Sequence, residues 1–129
     1  MTANSQKVVI IVEDEPDTAE MFAEMMRLSG YEVLKSYGGS AALAMIIEHQ
    51  PVAVVLDLMM PDVSGIEVLR YMRRDPNLAN IPVIVVSAKS MPSDVRTGLE
   101  AGASVYLTKP VGFAELRRAV EDVVRTRTA

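Results

Sequence analysis

The chain has no cysteine and no tryptophan, and only one histidine and two phenylalanines among its 129 residues. Without cysteine there is neither a disulfide framework nor a thiolate metal site. The lone histidine, His49, falls near the end of a helical segment and reads as a solvated surface residue, with nothing around it to support a phosphotransfer role. No stretch approaches the ~20 apolar residues a membrane helix needs, and the run Val8–Val12 is too short for a signal-peptide core. A cytoplasmic, soluble protein is the expectation. Repeats, low-complexity tracts and linkers are missing too. Neither sign of charge dominates, and the net charge of -4 argues against nonspecific binding to nucleic acid, whose affinity comes from neutralising phosphates.

What is present is a core. Half of the residues are hydrophobic, which excludes wholesale disorder, and the length fits one compact domain. Residues 1–6 read as a polar tail, 7–126 as the domain and 127–129 as a second tail. Four apolar runs rich in β-branched residues read as strands buried on both faces: Val8 to Val12, Val52 to Leu56, Val83 to Val86, and Val105 to Leu107. A fifth candidate strand is Glu32 to Lys35. Between them lie helical stripes. The first comprises Ala19, Phe22, Ala23 and Met26, entered through Pro16 and left at Gly30. Leu43, Ile46 and Ile47 make a second; Ile66, Leu69 and Met72 a third, behind a Ser64–Glu67 capping box. Ser93 is the expected cap of a weaker fourth helix through Val95 and Leu99, in which Gly98 costs helix propensity. Phe113, Leu116, Val120 and Val124 give the fifth. Five alternations of strand and helix predict a doubly wound α/β fold with a parallel sheet and right-handed crossovers.

In such a sheet the carboxyl ends of all strands lie along one edge, where ligands bind. The four apolar runs lead there into Glu13-Asp14-Glu15, Asp57, Ser87 and Lys109-Pro110. Acids, a hydroxyl and a lysine far apart in sequence thus converge. Taken alone, each residue has a plainer reading. Asp57 can cap a turn, Ser87 can open a loop, Tyr106 can be a core or edge aromatic, and Glu15 reads as an acidic helix start. The nine methionines read mainly as gap-filling core residues. Arg117, Arg118, Arg125 and Arg127 alternate with Glu115, Glu121 and Asp122, the pattern of a solvated helix face.

Five segments together carry a resemblance. Val12-Glu13-Asp14-Glu15, Leu56 to Asp62 with Gly65, Val86-Ser87-Ala88, Ala101-Gly102-Ala103 and Tyr106-Leu107-Thr108-Lys109-Pro110 occur in order across nearly the whole chain. In these the sequence resembles the receiver domain of two-component response regulators. The resemblance implies a flavodoxin-like sheet in the order 2-1-3-4-5 with five helices. It implies Asp57 as phosphoacceptor, with Asp14, Asp57 and the Met59 backbone carbonyl as direct ligands of Mg2+ (or Mn2+) and Glu13 acting through water. Ser87 corresponds to the switch hydroxyl, Tyr106 to the switch aromatic, and Lys109 to the phosphate-binding lysine, with a cis Lys109-Pro110 bond. The expected donor is a sensor histidine kinase or a histidine phosphotransfer protein. The expected output is a protein target bound through the surface of the fourth helix, fifth strand and fifth helix.

Elementary chemistry agrees. Three clustered carboxylates repel one another, and a divalent cation relieves this better than one side chain can. Magnesium favours an octahedral oxygen shell that keeps several waters, so two carboxylates and a carbonyl suffice. Phosphoryl transfer asks mostly for in-line positioning and stabilisation of charge on the equatorial oxygens.

Departures also matter. Ser104-Val105 stand where many DNA-binding relatives carry acidic residues used in a dimer face, so a monomer or weak dimer is expected. Only Thr126 to Ala129 follow the fifth stripe, and a single-domain member is expected. The resemblance implies that Met59 and Lys89, two residues after Asp57 and Ser87, flank the approach of a hydrolytic water; neither can accept a proton from it, so slow self-dephosphorylation is expected. Two other classes compete. One is an interaction scaffold of the same fold without functional phosphorylation. The other is a phosphohydrolase with an aspartyl nucleophile, which would need a second acid where Met59 stands.

Overall fold

The apolar runs form one parallel sheet of five strands: β1 (Val8–Val12), β2 (Glu32–Ser36), β3 (Ala53–Leu56), β4 (Val83–Ser87) and β5 (Val105–Thr108). Their order is β2-β1-β3-β4-β5. The chain is described here from a computed structural model covering residues 7–128; the expected tail at 1–6, and Ala129, lie outside the described residues. Five helices alternate with the strands: α1 (Pro16–Leu28), α2 (Gly39–His49), α3 (Gly65–Arg74), α4 (Pro92–Ala101) and α5 (Phe113–Thr128). The fold is a doubly wound, flavodoxin-like α/β sandwich.

Alternation along the strands divides the core in two. Ile10, Val12, Val54, Leu56, Val83 and Val85 face α2, α3 and the end of α4. Val9, Ile11, Ala53, Val55, Ile84 and Val86 face α1 and α5. Because β1, β3 and β4 are covered on both sides, their runs are continuous rather than alternating. The edge strand β2, by contrast, is mostly half-buried, which explains its polar residues.

Helix starts follow local chemistry. Glu15 accepts from the Thr18 N–H at 2.8 Å and opens α1 with Pro16 at its first position. The Ser64 hydroxyl accepts from the Glu67 N–H at 3.3 Å to open α3. Four expectations need correction. Ser93 does not cap α4: Met91 precedes the helix, Pro92 starts it, and the Asp94 carboxylate accepts from the Met91 N–H at 3.2 Å. The buried side of α4 is Gly98 and Ala101, so Leu99 faces outward. Ile47 is likewise exposed, leaving Ala42 and Ile46 to pack α2. Finally, α5 runs to Thr128, past the expected boundary at residue 126. Its last turn is held by Asp122, whose carboxylate pairs with Arg125 at 2.8 Å and whose carbonyl accepts from the Thr126 hydroxyl. None of the described helices is long and apolar enough to cross a membrane.

Candidate functional site

The site begins where the strand ladders run past their last residues. The Glu13 N–H donates to the Ser36 carbonyl (2.9 Å), the Asp57 N–H to Val12 (3.0 Å) and the Lys109 N–H to Ser87 (2.9 Å). Sheet pairing therefore fixes the backbones of Glu13, Asp57 and Lys109 at one edge, and their side chains meet. Lys109 Nζ lies 2.9 Å from Glu13 Oε1 and 3.3 Å from Asp57 Oδ2. Its bond with Pro110 is cis. Glu13 and Asp57 are buried, while Asp14 is exposed at the rim.

Carboxylate oxygens of Glu13, Asp14 and Asp57 lie within 4.8 Å of one another. Three carboxylates face one ammonium, and two of the three, Glu13 and Asp57, are buried. Burial raises Glu13 above the ordinary carboxylate range and the charge of Asp57 adds to this, while the hydrogen bond from Lys109 opposes both. For Lys109, burial acts downward, but the Glu13 hydrogen bond and the Asp57 charge outweigh it and hold the ammonium above its usual value. A cluster of this charge, made only of oxygen donors, can hold a metal ion, and a hard divalent cation suits it best.

The loop after β3 folds back on the acceptor candidate. The Met59 N–H donates to Asp57 Oδ1 at 3.1 Å, keeping residue 59 beside the carboxylate, and Met59 as a whole is 52 % exposed. A Cβ on Gly65 would stand 2.5 Å from the Asp57 carbonyl oxygen, so the start of α3 can press against that backbone only as glycine. On the other flank Ser87 is fully buried, and its hydroxyl accepts from the Lys89 N–H at 3.2 Å. The Tyr106 hydroxyl donates to the Lys89 carbonyl at 2.8 Å. Burial pushes that hydroxyl above its ordinary range, with a hydrogen bond from Ser87 pulling the other way.

Glu15 stays out of the cluster and caps α1, as the sequence suggests. His49 sits at the exposed end of α2, near Glu48. Arg117 and Arg125 pair with Glu121 and Asp122 on the outer face of α5.

Asp62 ends one of the five motif segments, and sequence reasoning assigns it no role. Its carboxylate accepts from the Gly39 N–H (3.1 Å) and the Ser40 N–H (3.3 Å), which caps α2 from a distant loop and lowers its pKa to about 2. The signal for it is present in the sequence. A helix beginning Gly38-Gly39-Ser40 brings no capping side chain at its own N-cap, so the cap must come from elsewhere.

Known proteins are similar to this chain in sequence and in fold. A profile described as the response regulator receiver domain matches residues 9–121. The phosphate regulon transcriptional regulatory protein PhoB of Pseudomonas aeruginosa is 38% identical over 119 residues, covering 92% of this chain and 52% of that protein. The polar-differentiation response regulator DivK of Brucella anthropi is 36% identical over 105 residues, or 81% of this chain and 85% of that one. Relative to PhoB and the PrrA regulators of mycobacteria, the chain thus spans about half their length. Among solved structures, a putative response regulator from Chloroflexus aurantiacus superposes with a TM-score of 0.89 at 30% identity, covering 94% of this chain and 99% of that one. Sheet order, acidic edge and sequence agree, and the chain belongs to the response regulator receiver domain family.

Proposed function

We propose that this protein is a phosphoacceptor switch. Receiver domains are signalling switches rather than turnover enzymes, and the reading for this chain is that Asp57 takes the phosphoryl group. The donor is a phosphohistidine on a sensor kinase or phosphotransfer protein in the cytoplasm. The N–P bond to the imidazole breaks as a P–O bond forms to the Asp57 carboxylate, and the histidine regains a proton from water. One observation carries this reading. Asp57 is a buried carboxylate at the strand edge with Lys109 at 3.3 Å and two further acids beside it.

Each neighbour has a task. Lys109 holds equatorial phosphoryl oxygens by charge, replacing its contacts to Glu13 and Asp57. Asp14, Asp57 and the Met59 carbonyl would hold Mg2+ or Mn2+ directly, and Glu13 through water. When bound, the ion would supply charge neutralisation between carboxylate and phosphoryl group. Ser87 is the hydroxyl that meets a phosphoryl oxygen, and it stands one hydrogen bond from the loop that Tyr106 latches. The surface of α4, β5 and α5 then carries the output to a protein target. Met91 and Leu99, exposed on or beside α4, suit such a surface.

Incubation with acetyl phosphate and magnesium followed by intact-mass measurement tests this. A single added phosphoryl group, absent in Asp57→Asn, is expected. No label on the unaltered protein would favour a scaffold, and continuous phosphate release would favour a hydrolase.

A further inference from the structure

Gly98 is the residue of α4 that helix chemistry least explains. It lies buried within the helix, where glycine is a poor choice. Against it lies the ring of Tyr106. A Cβ at position 98 would stand 2.7 Å from Tyr106 Cδ2 and 2.8 Å from Cε2, well inside van der Waals contact. Among the described residues, apart from adjacent ones and the helix's own backbone, nothing else comes within 4 Å of that Cβ. The ring alone accounts for the missing methyl group.

The same ring ends in a hydroxyl bonded to the Lys89 carbonyl, and the Lys89 N–H reaches Ser87. Notch, ring and loop therefore form one continuous run from α4 to the end of β4. We propose that Gly98 is a positioning residue of the switch: the notch it leaves in α4 seats Tyr106 and so holds the loop behind Ser87. This rests on the reading of Asp57 and Ser87 given above. If Ser87 follows the phosphoryl group, it must leave the Lys89 N–H, so seating of the ring and phosphorylation change each other by one common factor.

Alanine at this position has two effects of opposite sign. It improves α4 as a helix and evicts the ring. Removing the ring separates them. The experiment compares the unaltered protein with Gly98→Ala, Tyr106→Ala and the double variant. It reads nuclear Overhauser contacts between residue 98 and the Tyr106 ring, urea unfolding, and the affinity for beryllofluoride with magnesium. In Gly98→Ala the ring contact disappears and beryllofluoride affinity changes by about fivefold or more. In the Tyr106→Ala background, adding Gly98→Ala raises stability and leaves beryllofluoride binding unchanged. If Gly98→Ala alone fails to fold while the double variant folds, the clash is with the ring, as proposed.

A ring contact that survives in Gly98→Ala overturns the notch. Lost contact with unchanged beryllofluoride affinity overturns its link to the switch. An unaltered protein that binds no beryllofluoride would sink the Asp57 reading instead, while ring contacts and the two stability comparisons still decide the notch.

Discussion

Two cations are drawn out of water at opposite edges of the sheet, and they are held in opposite ways. Arg73, in the last turn of α3, donates through Nε to the Gly102 carbonyl (3.0 Å). Through Nη1 it reaches the carbonyls of Ala79 (3.1 Å) and Ile81 (2.8 Å). Burial lowers its pKa, and no carboxylate is among its described partners. Lys109, at the carboxyl edge, faces two carboxylates and is raised on balance. The arginine satisfies three loop carbonyls and ties the loop after α3 to the turn after α4. It is architecture. The lysine is outnumbered by acids, and that surplus of negative charge can hold a metal ion.

The comparison can be broken from either side. The largest expected effect is at the acidic edge: Asp57→Asn abolishes labelling by acetyl phosphate while circular dichroism stays unchanged. Retained labelling would move the acceptor elsewhere. At the other edge, Arg73→Ala leaves three carbonyls without their donor and should cost roughly 2–4 kcal/mol in urea unfolding. Arg73→Lys recovers only part, because a point charge cannot span that fork of acceptors. Magnesium binding by the folded protein should be untouched, and a parallel loss would mean that the two edges are not independent.

Smaller effects sharpen the acidic side. Asp14→Ala should weaken magnesium at least about tenfold by NMR titration, by analogy with lost metal-site contacts. Glu15→Ala should leave it alone, since Glu15 is spent on the α1 cap. Equal losses would refute the assigned ligand set. Replacing Met59 with Asn and Lys89 with Glu together should hasten loss of label from phosphorylated protein in excess magnesium, more than either alone. Unchanged decay would remove both residues from the account of lifetime.

The smallest effect is on pH. Glu13 keeps its proton to higher pH in the folded chain than in the unfolded one. The Glu13 contribution to metal-free stability, read as the difference between the unaltered protein and Glu13→Gln, should therefore decline slightly as pH rises from about 4 to about 7, because only the folded state resists losing that proton. Magnesium should reverse the trend by favouring the ionised cluster. Urea unfolding with and without chelator across this range would show whether it does.

Sequence makes the strands and the acidic edge legible because both depend on local pattern. A run of β-branched residues buried on two faces announces itself, and the residue just past its carboxyl end must sit at the sheet edge. Strand order comes through the family resemblance, since alternation alone does not choose it. The features that stay hidden depend on partners distant in the chain. Arg73 binds backbone carbonyls, which every residue has. Asp62 caps a helix 22 to 23 residues away in sequence. The outward turn of Leu99 and Ile47 escapes a sequence reading because apolar side chains at helical spacing look like a core stripe wherever they point. Gly98 looks like a flaw in its helix, and only the ring beside it gives it a purpose.

The separation of the site's members along the chain has a temporal consequence. Lys109 is 96 residues from Glu13 and 52 from Asp57. Closing such loops is entropically costly and is repaid only when the long-range pairing is made. During synthesis the acidic residues leave the ribosome first, and the last strand must dock before their lysine arrives. A nascent or truncated chain ending before β5 carries Asp57 without its counter-cation. Under the proposed function, the ability to take a phosphoryl group is thereby reserved for molecules that have finished folding.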